Sequence, residues 1–463
     1  MRGYTERVFR MNRRVLILGS SHVGASLAGE LVEQGCEVTV VCDQQPSLKK
    51  LQHQLDIRTV LGNPSYPDIL RVARADKMDV LIAVTPTDEV NMLACQVAYS
   101  LFQVPLKIAR IRSRHYFYRN ELFGNDNLPV DIFLDPERAV AHNLFRLMNY
   151  IGASSAFPFP DIQLVLLTVK IPSTGRWLQK PWQAFQEAVA EHTGLALAIQ
   201  RDHHYIHVTP RTELQLQDEC YIMVAEDSVC NLLIALGMQS KDTIRKVIIA
   251  GGGGVGEALA EHLTQAHCNV KIIDHNAVLC QRLASHIPDA TVLIGDASER
   301  KLLFQENVEA VDAFIALTSD DEDNIISALQ AKYLGARHVL SLVNNSEYME
   351  IFTNSNVDVF IPPQQMTISD VLTIIRPDFV KQVFTLSRGL SEVVCCELLE
   401  GKAKRIVGKP VSVLHLPDGV VFAGLYRAGV HYFSTSVELT YGDCVVFLLQ
   451  DKRAFGAISL WFS

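Results

Sequence analysis

The chain has 463 residues, 48% of them apolar and 20% charged, with a net charge of −9. That composition excludes a largely disordered or fibrous chain, and at about 100–200 residues per domain the length suggests three or four domains. The acidic balance argues against a broad nucleic-acid footprint, and no apolar run approaches the ~20 residues of a membrane helix. Short apolar runs at 15–18, 38–42, 59–61, 80–84, 107–111 and 131–134 alternate with helical patterns. Runs this short between helices predict a parallel sheet covered on both faces. Beyond them, 163–170, 195–200, 204–209 and 220–224 read as strands and 181–191 as a helix, which makes a small α+β domain. The plan then returns, with runs at 247–250, 270–273, 291–294, 313–317, 338–343 and 358–361, followed by strands at 393–399, 420–426, 430–434 and 444–450. Linkers are expected near 152–161 and 386–392, and the halves meet near 239–245.

The second plan is a copy of the first. Gly19 and Gly24 match Gly251 and Gly256, Asp43 matches Asp274, and Gly62-Asn63 matches Gly295-Asp296, all at offsets of 231–233. The window from Thr85 to Asn91 matches that from Thr318 to Asn324. Asp131-Ile132-Phe133 matches Asp358-Val359-Phe360, and Asp218-Glu219-Cys220 resembles Gly442-Asp443-Cys444. Matches that keep their order indicate a duplicated unit of about 230 residues. The expected fold is α/β: two Rossmann-like, doubly wound parallel-sheet domains at 14–150 and 245–385. Each is followed by a small α+β domain, at 160–235 and 390–463, and an arginine-rich extension occupies 1–13.

The strongest chemical pattern lies in copy two. The run 247–250 leads into Gly251, Gly253 and Gly256, a G-x-G-x-x-G, with Gly254 and Val255 opening a helical stretch. The first glycine permits a tight turn, the second lets backbone approach a pyrophosphate, and the third lets helix pack on strand. The helix N–H groups then receive the phosphate charge. Asp274 falls 23 residues after Gly251, where a carboxylate accepts hydrogen bonds from ribose hydroxyls and repels a 2′-phosphate. Copy one is imperfect. Gly19, Val23 and Gly24 keep the pattern and Asp43 keeps the acid, but Ser21 stands where the middle glycine is expected. Its Cβ crowds a pyrophosphate while its hydroxyl offers a donor; His22 faces either phosphate or solvent.

The Thr-x-x-Asp-Glu-x-Asn windows place Thr85, Asp88, Thr318 and Asp321 where a fourth strand ends and a helix begins. Asp88 and Asp321 are expected as helix caps, with a second role lining a nucleotide cleft at the carboxyl edge of the sheet. Asn63 and Asp296, after the third strands, join the candidates. Arg110 opens a basic stretch after strand five of copy one; copy two has no arginine there, so the two sites should handle phosphate differently. None of the ten cysteines forms a Cys-x-x-Cys pair, and they read as small buried apolar residues of a reducing cytosol. His203, His204 and His207 read as structural. No Ser/His/Asp order, P-loop or metal-binding motif stands out. Two dinucleotide-type modules without a substrate domain read as a sensor; an NAD-dependent oxidoreductase is the alternative.

Further stretches are LDIRTVLGN at 55–63, DEVNM at 88–92, IARIRS at 108–113, LFGND at 122–126, IAGGG at 249–253 and LIGDA at 293–297. With the tandem plan they resemble the RCK-domain regulatory subunits of Trk-type potassium uptake systems over essentially the whole chain. The resemblance implies a non-enzymatic cytosolic protein, peripheral on the inner face of the cell membrane through a potassium-translocating membrane subunit. It implies binding of NAD(H) or of ATP/ADP, and a homo-oligomeric ring, a tetramer, whose nucleotide-dependent shape gates the pore. By position, Gly19, Gly24, Asp43, Thr85 and Asp88 would line the first site, with Arg110 reaching phosphate. Gly251, Gly253, Gly256, Asp274, Thr318 and Asp321 would line the second.

Overall fold

The computed structural model describes residues 13–117, 120–124, 126–172, 176–238, 244–352, 355–386 and 389–462. Residues 1–12 of the extension lie outside the described residues. One compact unit comprises the chain up to Glu137 together with Met366–Asp378; the other comprises Arg138–Gln365 together with Phe379–Ser463.

In the first unit, β1 (Arg14–Leu18), β2 (Glu37–Cys42), β3 (Arg58–Leu61), β4 (Val80–Ala83), β5 (Leu106–Arg110) and β6 (Ile132–Leu134) form a parallel sheet. The order is β3-β2-β1-β4-β5-β6. Val15 to Leu18 and Val80 to Ala83 are completely buried, as runs without polar alternation require in a sheet covered on both faces. The connections carry α1 (His22–Glu33), α2 (Gln45–Gln54), α3 (Pro67–Val72), α4 (Asp88–Phe102) and α5 (Arg114–Phe117). One face of the sheet is completed by residues from far along the chain: Ile368, Val371, Leu372 and Ile375 pack with Val15, Ile17, Val40 and Ile82.

The second unit begins within α6 (Pro136–Asn149), whose His142 and Phe145 rings lie 5.8 and 5.7 Å from that of His262. Next come β7 (Ser155–Phe159), β8 (Leu164–Lys170), α7 (Trp182–Ala190), β9 (Gly194–Arg201), β10 (His204–Tyr205), β11 (Glu219–Ala225) and α8 (Val229–Ala235). These strands form an antiparallel sheet ordered β10-β9-β11-β8-β7. The segment expected as a linker at 152–161 therefore contains an edge strand. Its Pro158, which lacks an N–H, is tolerated there because an edge strand has a free side. The strand expected at 204–209 shrinks to two residues.

The second parallel sheet repeats the first. It contains β12 (Lys246–Ala250), α9 (Gly254–Gln265), β13 (Asn269–Asp274), α10 (Ala277–His286), β14 (Ala290–Ile294) and α11 (Arg300–Gln305). β15 (Ala313–Ala316), α12 (Asp321–Tyr333), β16 (His338–Leu342), α13 (Ser346–Ile351), β17 (Val359–Ile361) and α14 (Pro363–Ile375) follow. The order is β14-β13-β12-β15-β16-β17.

The last sheet holds β18 (Val380–Leu386), β19 (Ser391–Glu397), β20 (Val420–Arg427), β21 (Val430–Tyr432) and β22 (Cys444–Leu449), with α15 (Phe455–Phe462) closing the chain. Strands thus occupy both ends of the stretch expected as a linker at 386–392. The two antiparallel sheets share a core in which Leu164, Leu166 and Met223 meet Phe384, Val393 and Val446. Each contains one arginine fork on a fully buried aspartate: Arg201 on Asp218 at 2.7 and 2.8 Å, Arg427 on Asp443 at 2.6 and 2.7 Å. That fork makes Asp218 the partner of Asp443, one residue off the sequence match that had set Asp218 against Gly442.

Candidate functional site: two nucleotide-type clefts

In each parallel sheet the strand order reverses between the first and fourth strands, and ligands of such sheets bind outside the carboxyl ends at that point. Gly19 (φ +111°) and Gly251 (φ +105°) end β1 and β12 in a left-handed conformation. A Cβ on Gly24 would lie 2.2 Å from the Gly19 carbonyl oxygen, and one on Gly256 2.0 Å from that of Gly251. These four glycines are required by packing. Gly253 is different, because a Cβ there would meet nothing within 4 Å. It faces open space, so Ser21 fits the same position in copy one with φ −61° at the head of α1. The Ser21 hydroxyl is buried and has no hydrogen-bond partner. His22 and Gly254 are exposed where their helices begin, and Val23 and Val255 are half-buried.

The two distal acids differ. Asp274 accepts hydrogen bonds from the N–H groups of Gly252 and Asn276, both at 2.8 Å, which aims its carboxylate at the glycine loop. Asp43 is exposed, and the neighbouring contact is instead Ser20 Oγ to Cys42 Sγ at 2.7 Å. Asn63 and Asp296 make matching turns, accepting from the N–H of Ser65 at 2.9 Å and of Ser298 at 2.7 Å. The Ser298 hydrogen bonds hold the Asp296 carboxyl below its ordinary value.

The Thr-x-x-Asp-Glu-x-Asn windows build the same frame twice. Thr85 donates its N–H and hydroxyl to Asn91 Oδ1 at 2.9 and 2.7 Å. Asn91 Nδ2 donates to the carbonyls of Thr85 and Arg110 at 3.1 and 2.9 Å. In copy two, Thr318 donates to Asn324 at 2.7 and 2.8 Å, and Asn324 donates to the carbonyls of Thr318 and Leu342 at 3.0 and 3.1 Å. Asp88 and Asp321 are not the caps. Thr87 and Asp320 occupy that position, and Asp320 accepts from the Asp323 N–H at 2.9 Å. The carboxylates of Asp88 and Asp321 reach across to the following loop. Asp88 accepts from the N–H of Arg112 and Ser113 at 2.9 and 2.8 Å, and Asp321 from those of Asn344 and Asn345 at 2.9 and 2.8 Å. Tyr116 donates to Glu89 at 2.8 Å and Tyr348 donates to Glu322, and each bond raises the phenol above its ordinary value. Sequence reasoning left Asn91, Asn324 and these tyrosines without roles; the asparagines were legible as the last matched position of the repeated window.

The difference between the clefts is charge. Arg110 Nη2 donates to Glu137 Oε1 at 2.8 Å, and both side chains are largely buried. Arg110 Nε, Glu137 Oε2, Asp88 Oδ1 and Ser21 Oγ are buried without a hydrogen-bond partner. In copy two, Leu342 stands in the frame of Arg110, and the neighbouring Gln364 amide donates to the Asn344 carbonyl at 3.3 Å. Buried polar groups are almost always paired, so these four orphaned atoms are unusual. The second cleft has open space at Gly253 and an Asp274 carboxylate oriented on the glycine loop.

Known proteins share this fold. The TrkA-N domain family matches residues 15–128 and 247–363, the two parallel-sheet segments. The Trk system potassium uptake protein TrkA of Halomonas elongata is 36% identical over 444 residues, covering 95% of this chain and 96% of its own length. Its counterparts in Haemophilus influenzae and Vibrio alginolyticus are 35% and 34% identical over similar spans. The crystal structure of the GsuK RCK domain covers 100% of this chain and 98% of its own, with a TM-score of 0.60 at 16% identity. The GsuK channel bound to NAD covers 99% of this chain, also at a TM-score of 0.60 and 16% identity. These solved structures share the fold: two Rossmann-like domains, each followed by an antiparallel-sheet domain. The chain belongs to the family of the Trk system potassium uptake protein TrkA.

Proposed function

We propose that this chain is a non-enzymatic, cytosolic regulatory subunit that gates a potassium-translocating membrane protein through nucleotide binding in its two clefts. The orphaned donors of Ser21 and Arg110 carry the reading, because an unpaired buried donor is costly unless a ligand accepts from it. The first cleft then takes a nucleotide with a terminal phosphate, ATP or ADP, with Arg110 on the phosphate and Ser21 donating beside it. The second takes NAD(H), with its pyrophosphate over Gly253 and its ribose hydroxyls on Asp274. A nucleotide shifts a gating equilibrium only by as much as it prefers one conformation, so two clefts of different charge allow two nucleotides to act in opposite senses.

The segments 14–150 and 245–385 serve as nucleotide modules, and 160–235 and 390–463 as the small modules between them and after them. A homo-oligomeric ring, a tetramer, is supported by apolar side chains on the outer faces of corresponding helices: Leu93 and Leu101 on α4, Ile326 and Tyr333 on α12. Among the described residues no helix is long and apolar enough to cross a membrane. The test is calorimetric titration of the purified chain with ATP, ADP and NADH, together with pull-down from membranes. Binding of at least one nucleotide and co-purification of a potassium transporter are expected. Steady NADH turnover with carbonyl substrates would instead favour an oxidoreductase.

A further inference from the structure

Helices α9 and α10 run beside the second cleft, and their facing sides carry an unusual set of residues. Glu257 and Glu261 are one turn apart on α9, so both point the same way. His286 ends α10 and enters between them, with Nδ1 2.8 Å from Glu257 Oε1 and Nε2 4.0 Å from Glu261 Oε1. One ligand atom from each of the three lies within 4.8 Å of the others. The carboxylates are 14% and 24% exposed and the imidazole 47%, so the protein encloses one side of the group and water reaches the other. Arg282 Nη2, 61% exposed, lies 3.0 Å from Glu257 Oε2 at the rim.

The duplication supplies an internal control. At the offset of 232 that aligns the two glycine loops, Glu257, Glu261 and His286 correspond to Ala25, Gly29 and Gln54, and Arg282 to Lys50. The same helix pair folds in copy one without any of the three donors. The set is therefore not demanded by the helix packing.

We propose that Glu257, Glu261 and His286 form a binding site for a divalent transition-metal ion of the zinc class. Two carboxylate oxygens and one imidazole nitrogen are a mixed O/N set suited to Zn²⁺, whose bonds of about 2.0–2.2 Å require donors about 3.3–3.6 Å apart. The imidazole rotates its nearer nitrogen onto the ion, the carboxylates close by about an ångström, and water completes a tetrahedron on the exposed side. Arg282 swings into solvent as the metal replaces it as the counter-charge of Glu257. The bound ion would fasten the helix that starts at the glycine loop to the helix that follows Asp274.

The test uses the full chain, stripped with EDTA and dialysed, then titrated with ZnCl₂ by calorimetry and by thermal unfolding. One saturable equivalent and a rise in Tm are expected. Glu261→Gln and His286→Asn should each weaken that equivalent at least 30-fold and abolish the Tm rise, with metal-free Tm and circular dichroism unchanged. Arg282→Ala should bind zinc more tightly. The proposal is overturned if the wild-type chain takes up no saturable zinc, or if Glu261→Gln and His286→Asn take up as much as wild type through cysteines and histidines elsewhere. Neither readout depends on nucleotide, so this result and the nucleotide assignment fail independently.

Discussion

Asn91 and Arg110 are joined by a hydrogen bond from the buried amide to the backbone carbonyl at 2.9 Å, tying the loop after β4 to the end of β5. Asn324 holds Leu342 in the same way at 3.1 Å. Both asparagines are fully buried and use donor and acceptor together, so no apolar residue of similar size substitutes. Asn91→Leu leaves the Thr85 N–H and two carbonyls unpaired and should cost about 2–4 kcal/mol. Thermal unfolding followed by circular dichroism should show a Tm several degrees lower, and Asn324→Leu should behave alike. An unchanged Tm in both contradicts the frame.

Arg110 separates the clefts. Arg110→Ala should weaken ATP binding about 10–100-fold, the worth of a charged hydrogen bond to phosphate, and leave NADH affinity within about twofold. Calorimetry on the two ligands checks it. Equal losses for both, or none for either, count against the division of labour.

The glycines of one loop are not equivalent. Gly253→Ser places a side chain in open space and should leave Tm unchanged while weakening NADH. Gly256→Ala drives a Cβ to 2.0 Å from the Gly251 carbonyl oxygen and should lower Tm through forced separation of α9 from β12. If Gly256→Ala unfolds at the wild-type temperature, the close approach of helix and strand is wrong.

Lys107 is 1% exposed, and its ammonium lies 2.7 Å from Asp131. Asp131→Ala strands a buried charge and should destabilise by about 3–5 kcal/mol, whereas Lys107→Met with Asp131→Leu should recover most of the loss. In copy two Asp358 is paired with Lys332, from α12 instead of a strand, at 2.7 Å. Denaturation of the single and double variants distinguishes the pair from its surroundings.

Burial pushes the Cys95 thiol up to about 12 and raises Cys220 as well, so neither forms thiolate near neutrality. Cys230 is exposed, whereas the sequence suggested small buried cysteines. N-ethylmaleimide at pH 7.5 should label Cys230 within minutes and leave Cys95 and Cys220 unmodified in the folded chain, read by mass spectrometry. Early labelling of Cys95 would show that the α4 side of the sheet opens.

The strands of the parallel sheets were legible because burial on both faces leaves apolar runs such as 15–18 and 247–250 with no polar alternation. The glycine loops were legible because close approaches at Gly24 and Gly256 permit one residue type. The acids after β4 and β15 were placed, but of the two tasks read for them the helix cap falls to Thr87 and Asp320. A carboxylate at a helix start looks like a cap, while its reach to Ser113 or Asn345 depends on a loop more than twenty residues away. Pairings between distant elements, such as Arg110 with Glu137 or His286 with Glu257, leave no local period to read. The strand 155–159 was hidden by Pro158, which reads as a break until the free edge of the sheet is known.

The helix residues Ile368, Val371, Leu372 and Ile375 close the core of Val15, Ile17 and Val40 although they follow the second parallel sheet in the chain. The duplication has therefore become irreversible at the level of folding. A fragment carrying residues 13–238 keeps every strand of its first sheet and the cover of α1 and α2, yet lacks the four side chains that complete that face. During synthesis the face stays incomplete until about 240 residues beyond the sheet's last strand have emerged. A gene fission between the copies would have to carry this one helix back to the first half before either product could stand alone.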